Sequence, residues 1–185
     1  MPEKPTILKR TTLAKTRLFS IESIALRFSN GKRCEFERLT RSTRGGGAVL
    51  IIPMISDDTV ILVREYAAGV DRYEIGLPKG KTDPGEDMFE AANRELKEEV
   101  GFGARKLTFL SSLTIAPGYL EHATEIILAQ DLYEEKLSGD EPEELEQITW
   151  KLNNISDLVA TGECTEARSI AALYMTREYL AGCQF

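Results

Sequence analysis

Apolar residues recur along residues 87 to 100 at the spacing of an α-helix. Asp87 is expected to cap the N-terminus of this helix, with Glu90 three positions later, as in a capping box. Gly101 is expected to end the helix in the left-handed conformation. The residues that share the predicted buried face, at spacings of three, four and four, are Phe89, Ala92, Leu96 and Val100.

A second stripe on the same predicted helix is acidic. Glu95 and Glu99 are four positions apart and Glu98 is three from Glu95, so the three side chains cluster about a quarter turn from the apolar face. Like charges at this spacing repel by a few tenths of a kcal/mol, roughly, per pair. The cluster is either a solvated acidic face or a set of oxygen ligands for a hard divalent cation.

Residues 6 to 41 show the alternation of an antiparallel sheet. Strands are predicted at Thr6 to Lys15 and at Leu18 to Phe28, followed by the hairpin turn Asn30-Gly31 and a return strand. A sheet of this size cannot bury its own core, so it must pack on the rest of the chain or on another subunit. Arg41 to Gly47 reads as a linker, which divides the chain into domains 1–44 and 45–185.

From Ala48 onward, short apolar strands alternate with helices, which favours an α+β fold with three layers. Residues 132–144 are predicted to form an acidic loop. In the last helix Ile170, Leu173, Tyr174 and Tyr179 are expected to face the core. The predicted strands are Ala48 to Ile55, Val60 to Val63, Tyr73 to Leu77, Leu107 to Thr114, Ala123 to Gln130 and Ile148 to Leu152, and the predicted helices after residue 150 are Ile155 to Ala160 and Thr165 to Leu180.

Composition narrows the classes of function. With 185 residues and 42% apolar residues the chain can bury a real core. Its formal net charge of −7 argues against binding nucleic acid through a broad basic surface. It contains no apolar run long enough to span a membrane, and its first residues lack the apolar stretch of a signal peptide. Three scattered cysteines indicate free thiols, so we expect a cytoplasmic protein.

The stretch from residue 80 to residue 102 matches the sequence pattern called the Nudix box. That pattern is a glycine, five residues, a glutamate, seven residues, and then Arg-Glu-apolar-any-Glu-Glu-any-Gly-apolar. The chain fills every fixed position, with Gly80, Glu86, Arg94, Glu95, Leu96, Glu98, Glu99, Gly101 and Phe102. It therefore resembles the Nudix hydrolases. The resemblance implies a three-layer α/β/α sandwich with a mixed sheet, beside the small N-terminal antiparallel sheet, and hydrolysis of a phosphoanhydride.

Outside the box the chain resembles the ADP-ribose pyrophosphatase branch, and more closely the NudE family of bacterial ADP compounds hydrolases. Residues 64–67, 90–103, 129–133 and 139–143 carry this likeness. It implies that ADP-ribose, NADH or diadenosine polyphosphates are hydrolysed to AMP and a second phosphorylated product. It also implies dependence on Mg²⁺, with Mn²⁺ or Zn²⁺ as substitutes, and a homodimer formed through the N-terminal sheet, which also helps to frame the adenine site of the substrate. The alternatives are a pyrophosphatase for sugar nucleotides such as GDP-mannose or ADP-glucose, and a non-catalytic module that senses ADP-ribose.

The resemblance assigns roles to residues of the box. Glu95 and Glu99 are expected to bind the metal ion, together with the carbonyl oxygen of Lys79. Glu98 is expected to take part in catalysis and to bind the ion directly or through water. The supporting residues are expected to be Gly80, Glu86 and Arg94, with Arg94 orienting a box glutamate.

Outside the box, roles are assigned by position alone. Glu141 is expected to be the general base, with Glu143 as the alternative base or an extra metal ligand. A solvated acidic loop is the structural alternative for both. Arg38, Arg64 and Glu74 are candidate substrate contacts, and a structural ion pair is the alternative for each.

The chain departs from its relatives at two positions. Ala67 stands where ADP-ribose pyrophosphatases often have arginine, so a strict preference for ADP-ribose is not expected. Lys79 stands in Leu77-Pro78-Lys79-Gly80, where Pro-Ala-Gly is more usual. Its side chain either lies near a phosphate or is solvated. Pro117 and Tyr119 resemble markers of two substrate classes, which fits a broad specificity for ADP-linked compounds.

Overall fold

The N-terminal residues form a three-stranded antiparallel sheet, as predicted. The structure is a computed structural model that describes residues 3–41 and 46–183. The strands are β1 (Thr6–Lys15), β2 (Phe19–Arg27) and β3 (Arg33–Arg41), in the order β1-β2-β3. Gly31 has a φ of 82° in the β2–β3 turn, a conformation that glycine adopts without steric cost. Residues 42–45 of the expected linker, and the expected domain boundary, lie outside the described residues.

The chain divides into two units, and the first contains the N-terminal sheet together with Thr114–Ala123. Within this unit the amide of Leu39 donates to the carbonyl of Tyr119 (2.7 Å), and the amide of Glu121 donates to the carbonyl of Leu39 (2.9 Å). The segment is therefore tied to β3 by backbone hydrogen bonds. Gly46–Leu113 and the chain from Thr124 onward belong to the second unit.

The second unit is built from two sheets and three helices. One sheet has the order β10-β5-β6 and the other β7-β4-β9-β8. The second sheet is mixed, because β4 runs parallel to β9 and antiparallel to β7. The elements are β4 (Ala48–Pro53), β5 (Thr59–Ala67), β6 (Arg72–Gly76), β7 (Lys79–Lys81), α1 (Met88–Glu99), β8 (Phe102–Thr114), β9 (Ala123–Glu134), β10 (Glu146–Lys151), α2 (Ile155–Ala160) and α3 (Ala167–Leu180).

Strand β4 separates two hydrophobic cores. Its side chains alternate, so that Val49 and Ile51 pack in a cluster with Ala92 and Leu96 of α1. Leu50 and Ile52 pack on the opposite side with residues of α2 and α3, including Leu173. All four β4 side chains are fully buried, which explains why this strand is apolar on both faces. Helices thus cover both faces of the strands, and the predicted three-layer α/β/α arrangement is confirmed.

Several element limits differ from the sequence prediction. The predicted loop at residues 132–144 was wrong at its start, because Leu132–Glu134 continue β9 beyond the backbone bend at Asp131, whose φ is 54°. Strand β7 was not predicted. Tyr179 was wrongly expected in the core and is 36% exposed, because the last turn of α3 extends past the packed residues. Among the described residues, no helix is long and apolar enough to cross a membrane.

Candidate active site

Helix α1 carries the acidic stripe, and its ends are fixed as predicted. The side chain of Asp87 accepts hydrogen bonds from the amides of Phe89 (2.7 Å) and Glu90 (2.9 Å), and the Glu90 carboxylate accepts from the amide of Asp87 (3.0 Å). This is a complete capping box. Gly101 follows the helix with a φ of 77°. The capping box and Gly101 therefore define the two ends of the helix.

Arg94 lies at the centre of the box carboxylates. Its Nε and Nη2 donate to the two carboxylate oxygens of Glu86 at 2.9 and 3.0 Å. Its Nη1 donates to Glu95 Oε1 and to Glu98 Oε2, each at 3.0 Å. The bonds to Arg94 hold the pKa of Glu86 below its ordinary value. Arg94 thus neutralises part of the charge that three carboxylates bring together.

Glu95 is buried against strand β7. The residue is 8% exposed, and its Oε1 also accepts a hydrogen bond from the amide of Lys81 at 3.1 Å. Desolvation raises the pKa of this carboxyl group, while Arg94 acts in the opposite direction. A Cβ atom at Gly80 would overlap the Glu95 carboxyl group. This close approach explains why a glycine stands at position 80.

Glu99 is held differently, at the other end of the acidic stripe. Its Oε2 accepts a hydrogen bond from the amide of Lys79 at 3.2 Å. Burial raises the pKa of the Glu99 carboxyl to about 8, although the charge of Lys79 lowers it. The ammonium group of Lys79 itself forms an ion pair with Glu65 of β5. Glu99 is therefore a desolvated carboxylate that a bound cation would stabilise.

These carboxylates line one cleft, which we call the carboxylate cleft. It has a volume of about 510 Å³ and is lined by Glu65, Lys79, Gly80, Lys81, Asp83, Arg94, Glu95, Glu98, Glu99 and residues 138–141. Glu141 thus lines the same cleft as the glutamates of α1. Glu143 lies in an adjoining cavity of about 440 Å³, which also contacts Glu98 and Glu99. Its Oε1 accepts a hydrogen bond from the hydroxyl of Tyr73 at 2.8 Å.

The loop that carries Glu141 is attached to the C-terminal end of α1. The amide of Leu137 donates to the carbonyl of Lys97 (3.2 Å), and the amide of Glu135 donates to the carbonyl of Gly101 (3.0 Å). The Lys97 ammonium also pairs with the Glu135 carboxylate at 2.9 Å. These contacts fix where the loop leaves the helix, and so determine which of its residues face the cleft.

The chemistry of the cleft fits a divalent metal ion. Glu95, Glu98 and Glu99 offer carboxylate oxygens, which hard cations such as Mg²⁺ prefer. Within residues 3–41 and 46–183, no three acidic, histidine or cysteine side chains are already grouped as a finished metal cage. Arg94 donates one hydrogen bond to a carboxylate oxygen of Glu95 and one to a carboxylate oxygen of Glu98. The desolvated carboxylate of Glu99 supports the fit.

Each of the three expected substrate contacts is engaged by other residues of the protein. Arg38 belongs to the first unit, where it pairs with Glu22 and Glu121. Arg64 pairs with two carboxylates, at 2.8 and 3.2 Å, and does not line the carboxylate cleft. The carboxylate of Glu74 accepts hydrogen bonds from Thr165 and lines a separate cavity. A role in substrate binding stays a prediction for each of them.

Sequence reasoning gave no role to Glu65, although it lines the carboxylate cleft and pairs with Lys79. The two residues are 14 positions apart and come from β5 and β7, so no local pattern joins them. The available signal was the pair of charged residues, Arg64 and Glu65, that follows the apolar run of β5. It marked the point where the strand leaves the core.

Comparisons with known proteins agree with this geometry. The model of the NudE-type Nudix hydrolase N-terminal domain matches residues 5–38, and the model of the NUDIX domain matches residues 46–170. The chain is 52% identical over 180 residues to the ADP compounds hydrolase NudE of Escherichia coli (strain K12), covering 97% of this chain and 95% of that protein. It is 30% identical over 173 residues to the ADP-ribose pyrophosphatase of Bacillus subtilis (strain 168), covering 90% and 91%.

A solved structure shows the same fold. The crystal structure of an ADP compounds hydrolase superposes with a TM-score of 0.89 at 51% sequence identity, covering 98% of this chain and 97% of that one. The domain match extends over most of the chain and includes every residue of the box and the Glu141 loop. The chain therefore belongs to the Nudix hydrolase family, as an enzyme with the NudE-type N-terminal domain.

Proposed function

We propose that this enzyme hydrolyses the diphosphate linkage of ADP-containing compounds to give AMP and a second phosphorylated product. ADP-ribose, NADH and diadenosine polyphosphates are the expected substrates. The observation that carries the proposal is the single cleft that Glu95, Glu98 and Glu99 of α1 line together with Glu141. The relatives named as ADP compounds hydrolase and ADP-ribose pyrophosphatase support this substrate class.

We propose that Glu95, Glu98, Glu99 and the carbonyl oxygen of Lys79 hold Mg²⁺, for which Mn²⁺ or Zn²⁺ substitutes. Nudix hydrolases generally use divalent metal ions. When bound, the ion supplies positive charge that offsets the diphosphate and favours ionisation of water. The contribution of the chain is to place three carboxylates on one buried helix side. Gly80 allows β7 to approach Glu95 closely.

Glu141 is the proposed general base. A carboxylate facing the cleft can accept the proton of a water molecule as the water oxygen attacks phosphorus and the phosphoanhydride P–O bond breaks. Glu143 is the alternative, but it accepts a hydrogen bond from Tyr73 and lies in the adjoining cavity rather than in the cleft. This placement favours Glu141 as the base and Glu143 as the residue that orients the loop.

Arg94 and Glu86 have the proposed supporting role. Arg94 binds two carboxylates of the helix and also donates to the carbonyl of Lys81 at 2.8 Å, so it joins α1 to β7. Glu86 accepts both remaining donors of Arg94 in a bidentate pair. The pair fixes the guanidinium plane and, through it, the orientation of Glu95 and Glu98.

We also propose a homodimer formed through the N-terminal sheet. Every described residue of β1 is exposed, and the first unit leaves large apolar side chains uncovered, at Ile7, Leu8, Leu13, Phe19, Ile21 and Phe36. Apolar side chains in this number on one small sheet are typical of a protein interface. Light scattering after size exclusion would show a dimer, and replacing Leu13 and Phe36 with serine would shift the protein to a monomer.

A substrate panel tests the proposed function. The enzyme with Mg²⁺ is given ADP-ribose, NADH, diadenosine triphosphate or GDP-mannose, and the products are separated and identified. We expect AMP from the three adenine compounds with a kcat/KM at least about tenfold above that for GDP-mannose. A preference for GDP-mannose would indicate a sugar-nucleotide pyrophosphatase. Tight binding of ADP-ribose without AMP formation would indicate a sensing module.

A further inference from the structure

The Glu141 loop consists of residues 135–145, between the end of β9 and the start of β10. A Cβ atom at Gly139 would overlap the Glu141 carboxylate and would lie 3.5 Å from the Cβ atom of Glu98. The loop therefore passes close to α1 at Glu98. Because a loop has no regular ladder of hydrogen bonds, the position of Glu141 depends on the contacts that hold the loop to the rest of the chain.

The incoming end of the loop is held by backbone hydrogen bonds. The amide of Leu137 donates to the carbonyl of Lys97, and the amide of Glu135 donates to the carbonyl of Gly101. Carbonyl groups at the C-terminal end of a helix are available to accept hydrogen bonds from other segments. The incoming end of the loop is thus fixed to the C-terminal end of α1, the part of the helix that carries the metal-binding carboxylates.

The outgoing end of the loop returns to the same place. Gln147, on β10, donates a hydrogen bond from its side-chain Nε2 to the carbonyl of Val100 at 2.9 Å. Leu145 packs against the hydrophobic cluster that contains Leu96 and Val100. Gln147 also lines the cavity that adjoins the carboxylate cleft. Both ends of the loop therefore meet at the C-terminal end of α1, and a side chain holds the outgoing end.

A further hydrogen bond holds the loop just beyond Glu141. The hydroxyl of Tyr73, on β6, donates to Glu143 Oε1 at 2.8 Å. This bond to a carboxylate raises the pKa of Tyr73. The Tyr73 ring lies edge-on to the ring of Tyr66 on β5, with 5.6 Å between the ring centroids, so packing restricts where its hydroxyl can lie. Glu143 is two residues from Glu141, so the bond restrains the part of the loop that carries the proposed base.

We propose that Gln147 and Tyr73 are positioning residues for the general base, and that they hold the outgoing half of the loop so that the Glu141 carboxylate reaches the attacking water. This inference rests on the proposed function, because it assigns the residues that place the base of that reaction. Both residues lie outside the box, and the role requires no contact with substrate or metal. A base acts only within hydrogen-bond reach of the proton that it accepts, and a displacement of about 1 Å can cost about a hundredfold in rate.

The test is steady-state hydrolysis of ADP-ribose with Mg²⁺ by Gln147→Met and Tyr73→Phe, which each remove a hydrogen-bond donor and keep the approximate size of the side chain. We expect kcat to fall about tenfold in Gln147→Met and about threefold in Tyr73→Phe, while KM and the affinity for Mn²⁺ stay unchanged. The matched controls are Gln130→Met, on β9, and Tyr66→Phe, whose hydroxyl donates to Asp71 in the β5–β6 turn. Both controls should keep the kcat of the natural chain.

Double variants show whether the two residues act through Glu141. When Gln147→Met or Tyr73→Phe is added to Glu141→Gln, kcat should fall by less than about twofold further, because the base is already absent. Losses that multiply would overturn the proposal, as would weaker binding of Mn²⁺ by Gln147→Met. The Tyr73→Phe comparison decides the question by itself if Gln147→Met does not fold. Failure of the proposed function is separate, since the natural chain would then release no AMP from ADP-ribose.

Discussion

The two ends of the carboxylate cleft hold their negative charges in opposite ways. At one end Arg94 binds Glu86, Glu95 and Glu98 through hydrogen bonds of 2.9 to 3.0 Å, and the pKa of Glu86 is lowered. At the other end Glu99 accepts a backbone hydrogen bond, and burial raises its pKa to about 8. The first end is satisfied by the protein itself, whereas the second leaves a desolvated carboxylate that a cation from outside would stabilise.

The difference explains how one helix tolerates three clustered glutamates. An ion pair inside the protein offsets the repulsion at the Arg94 end, so removal of Arg94 is expected to leave uncompensated carboxylates and to cost stability. The carboxylate at the Glu99 end costs stability unless a metal ion binds, as is common at functional sites. Variants of the two ends are therefore expected to change different properties, and the predictions below test that separation.

The largest expected effect is on turnover in Glu99→Gln. The amide keeps the size of the side chain but removes the charge that binds the metal ion, so kcat should fall by about a hundredfold or more. Stability in EDTA should be unchanged or higher, because a neutral group replaces a desolvated carboxylate. AMP release from ADP-ribose with Mg²⁺ measures kcat. Urea unfolding in EDTA measures the stability. A turnover close to that of the natural chain would rule out this role for Glu99. The control is Glu134→Gln, which changes an exposed residue of β9.

The next effect is on stability in Arg94→Lys. Lysine cannot reproduce the bidentate pair with Glu86 while also reaching Glu95 and Glu98, so the free energy of unfolding should fall by about 2–4 kcal/mol. Urea unfolding in EDTA measures the loss. Arg105→Lys alters an exposed pair with Asp131 and should cost less than about 1 kcal/mol. Equal losses in the two variants would contradict a structural role for the Arg94 end.

The pH dependence of stability should have opposite signs at the two ends. The folded-state pKa of Glu99 is raised from 4.5 to about 8. Its contribution to stability is therefore fully present below pH 4.5 and is lost as the pH rises through about 8. The pKa of Glu86 is lowered, so its contribution is present above the ordinary value and is lost as the pH falls through its folded pKa.

Unfolding of the natural chain and Glu99→Gln in EDTA, across that range of pH, measures the Glu99 effect. One pKa unit corresponds to about 1.4 kcal/mol, so the natural chain should lose at least about 1 kcal/mol relative to Glu99→Gln as the pH rises. The free energy of unfolding of Glu86→Gln should instead differ from that of the natural chain by an amount that changes in the acid range. If the free energy of unfolding changed with pH in the same way in all three proteins, the opposite environments assigned to Glu86 and Glu99 would be contradicted.

The smallest expected effect is in Asp87→Ala, which removes the capping box without touching either end of the cleft. Loss of the cap should lower the free energy of unfolding by about 1 kcal/mol. The ratio of kcat between this variant and Glu99→Gln should remain large. Asp57→Ala, at an exposed position before β5, is the matched control and should leave stability unchanged. A collapse of turnover in Asp87→Ala would show that the cleft depends on the cap.

Local patterns predicted the parts of the fold that depend on local interactions. The spacing of Ala92, Leu96 and Val100 identified the buried face of α1, and Asp87 and Gly101 marked its ends. Strand β7 was missed because a strand of three residues, Lys79–Lys81, shows no alternation of its own. It exists through its pairing with β4, in which Ala48, Val49 and Leu50 pair with Lys81, Gly80 and Lys79 from a distant part of the chain. Long-range pairing of this kind leaves no trace in a short window of sequence.

The candidate site was predictable in its residue types and not in its internal contacts. The box spacing placed Glu95, Glu98 and Glu99 on one side of a helix. The resemblance assigned Arg94 to one box glutamate, but it did not reveal that Arg94 contacts Glu86, Glu95 and Glu98 at once, because a side chain of that length reaches several neighbours. The Lys79–Glu65 pair joins two strands and was equally hidden. The roles of Arg38, Arg64 and Glu74 stay predictions, since their contacts depend on tertiary structure and on the substrate.

Binding of Mn²⁺ is the most direct test of the claim that the α1 carboxylates hold a divalent cation. Electron paramagnetic resonance reports free Mn²⁺ as the metal is titrated into the natural chain, Glu99→Gln and Glu134→Gln. We predict that Glu99→Gln binds Mn²⁺ at least about tenfold more weakly than the natural chain, and that Glu134→Gln binds it equally well. Equal affinity in the natural chain and Glu99→Gln would contradict the account.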